Sequence, residues 1–229
     1  MRKTHISIII IALCLFGCTT MKDESLDAPK FSETFIRVYC FVNSNTTSWS
    51  YVSSENAVKI ILKGEDIWGK AYDGLPPMAQ FNTLARYFGD TNYYDYIPKI
   101  PGMNNAIADE FLSIDIVSNL DFGPGYPAGA SLKEMAEFYG TSAYPYIKSG
   151  YDFSLLLREG DWIDLIDYES GYTPVIKLLS ELTPEDMTLL GRVVHIKFTD
   201  PPPPGNHTFT ITMVTKDRTI TKSLDVEIE

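Results

Sequence analysis

The last part of the chain alternates between apolar and polar side chains with a period of two. Residues 208–214 and 220–228 both show this pattern, and the short polar segment Lys216-Asp217-Arg218 separates them. Successive side chains of a β-strand point to opposite faces, so this alternation indicates strands with one buried face. Two such strands joined by a short turn predict a β-hairpin. Its buried face is formed by Phe209, Ile211, Met213, Ile220, Leu224, Val226 and Ile228.

Other segments are rich in β-branched and aromatic residues, which favour strands. We predict strands at Phe35–Val42, Val58–Leu62, Phe111–Ser118, Phe153–Leu157, Val175–Leu179 and Arg192–Phe198. The run from Pro201 to Pro204 has no N–H groups to donate, so it is predicted to form a stiff connection. Residues 65–105 contain several proline and glycine breaks and are predicted to be mostly long loops.

Short helical segments are predicted between the strands. One lies near residues 78–87, and a single helical turn is predicted at Thr183–Asp186. Another helix is predicted to begin at Ser131, because Ser131 and Glu134 have the spacing of a capping box. Its apolar face would be formed by Leu132, Met135 and Phe138. Many strands with one or two short helices favour a mainly β fold, and we predict a β-sandwich with long loop insertions.

The start of the chain has the features of an export signal. Two basic residues precede the apolar run 6–16, and Leu15-Phe16-Gly17-Cys18 ends it. A positive start, a short apolar core and a small residue before the cut are typical of a secretory signal. The run is shorter than the about 20 apolar residues that a spanning helix needs. Because a cysteine follows Leu-Phe-Gly, residues 1–17 resemble a bacterial lipoprotein signal peptide, which implies lipidation of Cys18.

Residues 18–32 are polar and have no apolar period, so they are predicted to be a lipidated flexible tether. Within them Lys22, Asp23 and Glu24 resemble the signal that sends Bacteroidota lipoproteins to the outer face of the outer membrane. The implied partner is the membrane, bound through the lipid anchor, with the protein facing the cell exterior. Residues 33–229 are predicted to be a single elaborated β-sandwich domain.

The body of the chain is similar to uncharacterised lipoproteins of gut Bacteroidota. The resemblance rests on Ile114–Ser118, Asp121-Phe122, Tyr126–Gly129 and Ser131-Leu132. It also rests on the closing segment Pro-Pro-Gly-Asn-His-Thr-Phe-Thr-Ile-Thr, which is similar to the last two strands of their immunoglobulin-like domains. The resemblance implies an immunoglobulin-like surface or envelope module, and it brings no catalytic residues with it.

Charge and cysteine content exclude some classes of function. The formal net charge is −11, and the predicted signal contributes only basic residues, so the remainder is more acidic still. Nucleic acid needs a basic face, so a nucleic-acid partner is excluded. Of the three cysteines, Cys40 alone lies beyond Cys18. Its apolar surroundings predict a buried thiol rather than a nucleophile.

The sequence contains no pattern typical of a metal, nucleotide or serine-hydrolase site, so no metal and no cofactor are predicted. The histidines after the signal are His195 and His207, and the alternation places His195 on the solvent side of its strand or under a loop. Asp161, Asp164 and Asp167 form the densest acidic stretch. They could bind calcium or act as an acid–base pair, but a solvated sheet edge is favoured.

Aromatic residues in the loops are the strongest indication of ligand binding. The candidate ligand-binding aromatics are Trp49, Tyr51, Tyr93, Tyr94, Tyr96, Tyr144 and Tyr146. Rigid amphipathic rings could stack on sugars or contact a protein. The alternative is that these rings close the ends of the core, and that alternative is favoured for each cluster taken singly.

These observations give three hypotheses for function. The first is a lipid-anchored, non-catalytic surface or envelope binding module. The second is a glycan-binding accessory lipoprotein of a polysaccharide uptake system, suggested by the aromatic loops. The third is a hydrolase with carboxylate chemistry, because the fold alone sets the separation of paired carboxylates. The first is favoured, so we expect no enzymatic activity.

Overall fold

The computed structural model describes residues 34–69, 79–93, 104–155 and 172–229. The strands are β1 (Val38–Val42), β2 (Ser48–Val52), β3 (Ala57–Ile61), β4 (Gly64–Trp68), β5 (Asn105–Ile107), β6 (Phe111–Ser118), β7 (Ala136–Ser142), β8 (Thr173–Leu178), β9 (Val193–Phe198), β10 (Gly205–Thr215) and β11 (Thr219–Ile228). The helices are α1 (Ala79–Phe88) and α2 (Tyr144–Lys148). Neither of these helices is both long and apolar enough to cross a membrane.

The strands form three sheets. A five-stranded sheet has the order β2-β3-β9-β7-β8, and a three-stranded sheet has the order β11-β10-β6. A second three-stranded sheet has the order β4-β1-β5, in which β1 pairs antiparallel with β4 and parallel with β5. The prediction of a mainly β fold is confirmed, and the several sheets are consistent with a β-sandwich.

One apolar core joins the five-stranded sheet to the β11-β10-β6 sheet. The alternate residues that point inward from the two sheets belong to one buried cluster, as expected for facing sheets. Its largest fully buried members include Phe111, Phe138, Phe198, Phe209 and Ile60.

A second core is mainly aromatic and is shared by β1, α1 and α2. Its large buried members are Phe35, Tyr39, Phe81, Phe88, Tyr93, Tyr146 and Tyr172. Phe35 and Tyr146 meet edge to face with their ring centroids 4.8 Å apart, a geometry that aromatic pairs prefer. Strand β1 alternates between the two cores, with Cys40 in the first and Tyr39 in the second. One short strand therefore connects both cores.

The closing hairpin is confirmed. Strands β10 and β11 pair antiparallel from Gly205–Ile228 to Val214–Thr219. The predicted strand Phe111–Ser118 has the same bounds as β6, and the helix predicted near residues 78–87 is α1.

The helix predicted to begin at Ser131 is wrong. Residues 136–142 form β7 instead, and Phe138 is buried in the first core. The Ser131 hydroxyl donates to Asp115 at 2.7 Å, and the Leu132 N–H donates to the Ile116 carbonyl at 2.8 Å. Pairing with the edge of β6 therefore outweighs the local capping pattern.

Two smaller predictions are corrected as well. In the predicted strand at residues 153–157, the described part, Phe153–Leu155, is a 3-10 turn. Phe153 is 68% exposed and does not line a sheet. His195 lies in β9, in the middle of the five-stranded sheet, and is 3% exposed, so the first of its two predicted positions, the solvent side, is wrong.

We expect the substitution Gly64→Ala to destabilise the protein. Gly64 pairs with Val42 across β4 and β1, and an added Cβ would collide with the Phe41 carbonyl oxygen and lie 2.8 Å from the Asn43 nitrogen. Because these atoms are backbone, the strands would have to separate, at a cost of about 2 kcal/mol. Denaturant unfolding would measure the loss, with Ser50→Ala on the exposed part of β2 as the control. A loss as small as that of the control would contradict this reading.

Candidate functional site

A cleft opens where the ends of β1 and β4 meet the tip of the β10–β11 hairpin. Its volume is about 290 Å³. It is lined by Phe41, Val42, Asn43, Ser44, Glu65, Arg218, Thr219 and Ile220. These residues come from three separate parts of the chain, so the cleft exists only in the folded protein.

A hydrogen-bonded ion pair holds one wall of the cleft. Arg218 Nη2 donates to Asp109 Oδ1 at 2.5 Å and to the Val42 carbonyl at 2.5 Å. The other carboxylate oxygen of Asp109 accepts the Val42 N–H at 2.6 Å. The side chain of Asp109 is only 6% exposed, whereas that of Arg218 is 43% exposed. The guanidinium is thus fixed on its inner side and open to the cleft on its outer side.

The parallel pairing of β5 with β1 places Asp109. The pairing brings Ile107 beside Cys40, and the Ala108 N–H then donates to the Cys40 carbonyl at 2.9 Å. The chain continues in the same direction, which brings Asp109 to the Val42 N–H. Burial raises the pKa of Asp109, although the Val42 hydrogen bond and the Arg218 charge lower it.

The turn between β10 and β11 places Arg218. The Thr215 hydroxyl and N–H both donate to the Arg218 carbonyl, at 3.0 and 2.8 Å, so the turn is internally braced. A second ion pair joins Lys216 to Glu110 at 2.5 Å, and the Glu110 carboxylate also accepts the Tyr87 hydroxyl. The hairpin tip is therefore held by two adjacent acidic residues that precede β6.

Several polar groups of the cleft are left unengaged by the described part of the chain. The Glu65 carboxylate, the Asn43 Nδ2 group and the hydroxyls of Ser44 and Thr219 have no polar partner among the described residues. Glu65 lies beside Phe41 across β4 and β1, so a carboxylate and an aromatic ring are neighbours there. The cleft thus offers unengaged hydrogen-bond donors and acceptors beside an apolar surface.

The described aromatic candidates lie elsewhere. Trp49 and Tyr51 are partly buried against the first core, where the Tyr51 ring stacks on Phe209 with centroids 6.2 Å apart. Tyr93 and Tyr146 are 5% and 0% exposed in the second core, so their faces are not open to a ligand in this structure. Tyr144 is partly buried at the start of α2.

The remaining sequence candidates fall outside the described residues. They are the lipidation residue Cys18, the export residues Lys22, Asp23 and Glu24, the aromatics Tyr94 and Tyr96, and the acidic residues Asp161, Asp164 and Asp167. Their predicted roles stay predictions.

A buried carboxylate, Asp90, lies in the aromatic core. Its two oxygens accept the N–H groups of Phe35 and Ile36 at 2.7 and 2.8 Å, and Oδ1 also accepts the Tyr151 hydroxyl at 2.9 Å. Gly89 ends α1 with a φ of 77° and so directs Asp90 back towards the core. Burial, followed by the Asp90 charge, raises the pKa of Tyr151, which keeps that hydroxyl a neutral donor.

Stability should depend on the titration of Asp90. Burial raises its pKa, against the lowering effect of the hydrogen bonds from Phe35 and Ile36. In the unfolded chain the carboxyl ionises near pH 4, at its ordinary pKa of about 3.9. Between that pH and the raised pKa the folded state binds the extra proton, so the free energy of unfolding falls as pH rises. The contribution of Asp90 is fully present below about pH 4 and is lost as pH passes the raised pKa.

Urea unfolding between pH 4 and pH 8 would check this prediction. The free energy of unfolding of the wild type, minus that of Asp90→Asn, should shrink as pH rises. Asp109 titrates in both proteins and therefore drops out of the difference. A difference that stays constant with pH would show that Asp90 has the same pKa in both states.

A serine and a histidine also form a buried pair. Ser118 Oγ and His207 Nδ1 are 2.8 Å apart, and His207 Nε2 lies 2.6 Å from the Pro203 carbonyl. A nucleophile beside an oriented base has this geometry in hydrolases. Here both side chains are almost fully buried, and Ser118 Oγ also accepts the Leu120 N–H at 3.1 Å. In this structure the pair holds the Pro201–Pro204 connection against β6.

Cys40 and the potential metal ligands of the described residues do not meet the requirements of a reactive site. Cys40 is fully buried, and burial raises the pKa of its thiol to about 12, so little thiolate forms. Over the described ranges, no group of three or more histidine, cysteine and acidic residues is placed to hold a metal ion.

Sequence reasoning missed the main residues of the cleft. Asp109 and Arg218 are 109 positions apart, and Glu65 and Asn43 lie in short polar segments without a motif. The only local signal was the predicted turn at residues 216–218. Comparison with protein-family models, with curated proteins and with solved structures finds no match to this chain.

Proposed function

We propose that the protein is a lipid-anchored, non-catalytic binding module on the outer face of the outer membrane. The observation that carries the binding role is the cleft at the hairpin tip. Its guanidinium is fixed by Asp109 and Val42, and its Glu65 carboxylate is unengaged among the described residues. Polar groups held in position before a ligand arrives favour binding, because less freedom is lost on association.

The anchoring part of the proposal rests on the sequence. The apolar run that ends at Cys18 supports lipidation, and Lys22, Asp23 and Glu24 support export to the outer face. Two or more acyl chains on one cysteine hold a protein on a membrane stably, so no spanning helix is needed. The body of the chain is then available to bind ligands outside the cell.

The fold we propose is immunoglobulin-like, with additions. Facing sheets that share one apolar core and end in a C-terminal hairpin support this assignment. The β4-β1-β5 sheet and the aromatic core would be the additions. They also supply the β1 and β4 residues of the cleft.

The arrangement of the carboxylates supports binding rather than catalysis. Carboxylate hydrolases use two carboxyl groups that flank the reacting bond. In the cleft Glu65 has no polar partner within the described ranges, but Asp109 lies behind Arg218 and is hydrogen-bonded to it. The serine–histidine pair is closed off by burial.

Protease treatment of intact cells would test the location. We expect the protease to degrade the wild-type protein on intact cells, without lysis. In untreated cells the wild-type protein should be found in the membrane fraction. The variant Cys18→Ala should leave that fraction, and a periplasmic protein should stay intact as a control for lysis. Protection until the outer membrane is breached would contradict the outward-facing proposal.

A further inference from the structure

We infer that the cleft between β1, β4 and the hairpin tip binds one neutral sugar residue of a glycan through its neighbouring hydroxyl groups. This inference rests on the proposed binding function and gives it a ligand class. It is carried by the charge, the hydrogen-bonding groups and the shape of the cleft.

The charge of the cleft disfavours an anionic ligand. The positive charge of Arg218 is balanced by Asp109 at 2.5 Å. Glu65 has no ion-pair partner among the described residues, so the cleft as a whole is negative. A carboxylate or phosphate would be repelled by Glu65, and an ammonium group would meet the exposed side of the Arg218 guanidinium. A neutral ligand avoids both repulsions.

The hydrogen-bonding groups suit neighbouring hydroxyls. A hydroxyl both donates and accepts, so it can satisfy the Glu65 carboxylate and the Arg218 guanidinium at the same time. Nη2 of Arg218 is used by Asp109 and Val42, which leaves the other N–H groups for a ligand. Hydrogen bonds to charged groups are stronger than those between neutral groups. The Nδ2 group of Asn43 adds a further donor.

The apolar lining and the size of the cleft fit one ring. The half-buried ring of Phe41 gives an apolar surface for the C–H face of a sugar. The volume of about 290 Å³ lies at the lower end of the range for small-ligand sites. The cleft is open to solvent on one side, so a longer glycan could extend away from a single bound residue.

The test uses the full-length protein in detergent micelles and a defined set of probes. Neutral probes are glucose, galactose, mannose and their di- and trisaccharides. Charged probes are glucuronate, glucosamine and alanine. Saturation-transfer NMR would detect binding, and hydrogen exchange with mass spectrometry would locate it. We expect at least one neutral sugar to bind and to protect the peptides that contain residues 41–45 and 64–66.

The variant Glu65→Ala removes the unengaged carboxylate without touching the folded core, because Glu65 is exposed. We expect it to weaken binding of the neutral sugar by about tenfold or more, since a hydrogen bond to a charged group is lost. The matched control is Glu181→Ala, an exposed carboxylate on the turn after β8, which should bind like the wild type.

Each other outcome would overturn the inference. Tighter binding of a charged probe would overturn the ligand class, and sugar binding that Glu65→Ala leaves unchanged would overturn the site. If no neutral sugar binds, the inference fails. Digestion of the protein on intact cells would then still support its proposed location. Failure of the sugar-binding inference can therefore be distinguished from failure of the proposed surface function.

Discussion

Replacing Asp90 by alanine should lower the free energy of unfolding by about 4 kcal/mol, because a buried donor without an acceptor costs about 1–3 kcal/mol. The substitution leaves two such donors, the N–H groups of Phe35 and Ile36. It also removes the acceptor of the Tyr151 hydroxyl. Asp90 itself is 0% exposed, so water cannot replace the lost oxygens without opening the aromatic core.

Unfolding in guanidinium chloride, monitored by tryptophan fluorescence, would measure this loss in the free energy of unfolding. Asp90→Asn keeps one carbonyl oxygen and should lose about half as much, because one of its two backbone donors then faces an amide N–H group. Asp200→Ala is the matched control, since Asp200 is exposed and has no polar partner among the described residues. If Asp90→Ala lost no more than this control, the carboxylate would not be holding Phe35 and Ile36.

The ion pair behind the cleft should give the second-largest effect. Asp109→Ala leaves the buried Val42 N–H without its acceptor and removes the partner of Arg218. We expect a loss of about 3 kcal/mol for Asp109→Ala and about 2 kcal/mol for Arg218→Ala, values typical of broken buried hydrogen bonds to charges. The double variant should lose less than the sum, with a coupling of about 1–2 kcal/mol.

A double-mutant cycle by urea unfolding would give that coupling energy. The exposed pair Lys148–Glu185 is the control, with an N–O distance of 2.7 Å and side chains that are 55% and 63% exposed. Exposed pairs of this kind couple weakly, because water and salt screen the two charges. Equal coupling in the two pairs would mean that the Asp109–Arg218 contact contributes no more than a surface ion pair. Asp109→Ala loosens the fixed Arg218 guanidinium and Arg218→Ala removes it, so each should also weaken the binding of any ligand in the cleft.

Much of the strand content follows from local pattern. The alternation at residues 208–214 and 220–228 predicts β10 and β11, because β10 buries one face and β11 half-buries the corresponding face. Strand β6 was equally clear for the same reason. Where one face is buried along a whole strand, the period of two alone is enough to predict the strand.

Local pattern failed where a distant partner decided the conformation. The capping box at Ser131 is a valid helix signal, but Ser131 instead forms a bridge with Val117 at the edge of β6, and the Leu132 N–H donates to the Ile116 carbonyl. The sequence pattern places the aromatic candidates Tyr93 and Tyr146 in loops, because the second core that buries them has no sequence period. It is assembled from α1, α2 and the start of β1.

The cleft could not be predicted for a related reason. Its wall depends on the parallel pairing of β5 with β1, which brings together segments far apart in the chain. The structural role of Asp109 depends on its contacts with Val42 and Arg218, which only the folded chain provides. A single charged residue before a strand has no local mark that distinguishes it from a solvated one.

The position of Asp90 has a mechanical consequence. The predicted tether ends at residue 32. Soon after it, the N–H groups of Phe35 and Ile36 donate to the Asp90 carboxylate. Strand β1 then runs from there to the cleft at Val42. Tension between a membrane anchor and a captured ligand would therefore travel along β1. The ladders of β1 with β4 and β5 would bear that load in shear, with many hydrogen bonds resisting together instead of parting one after another.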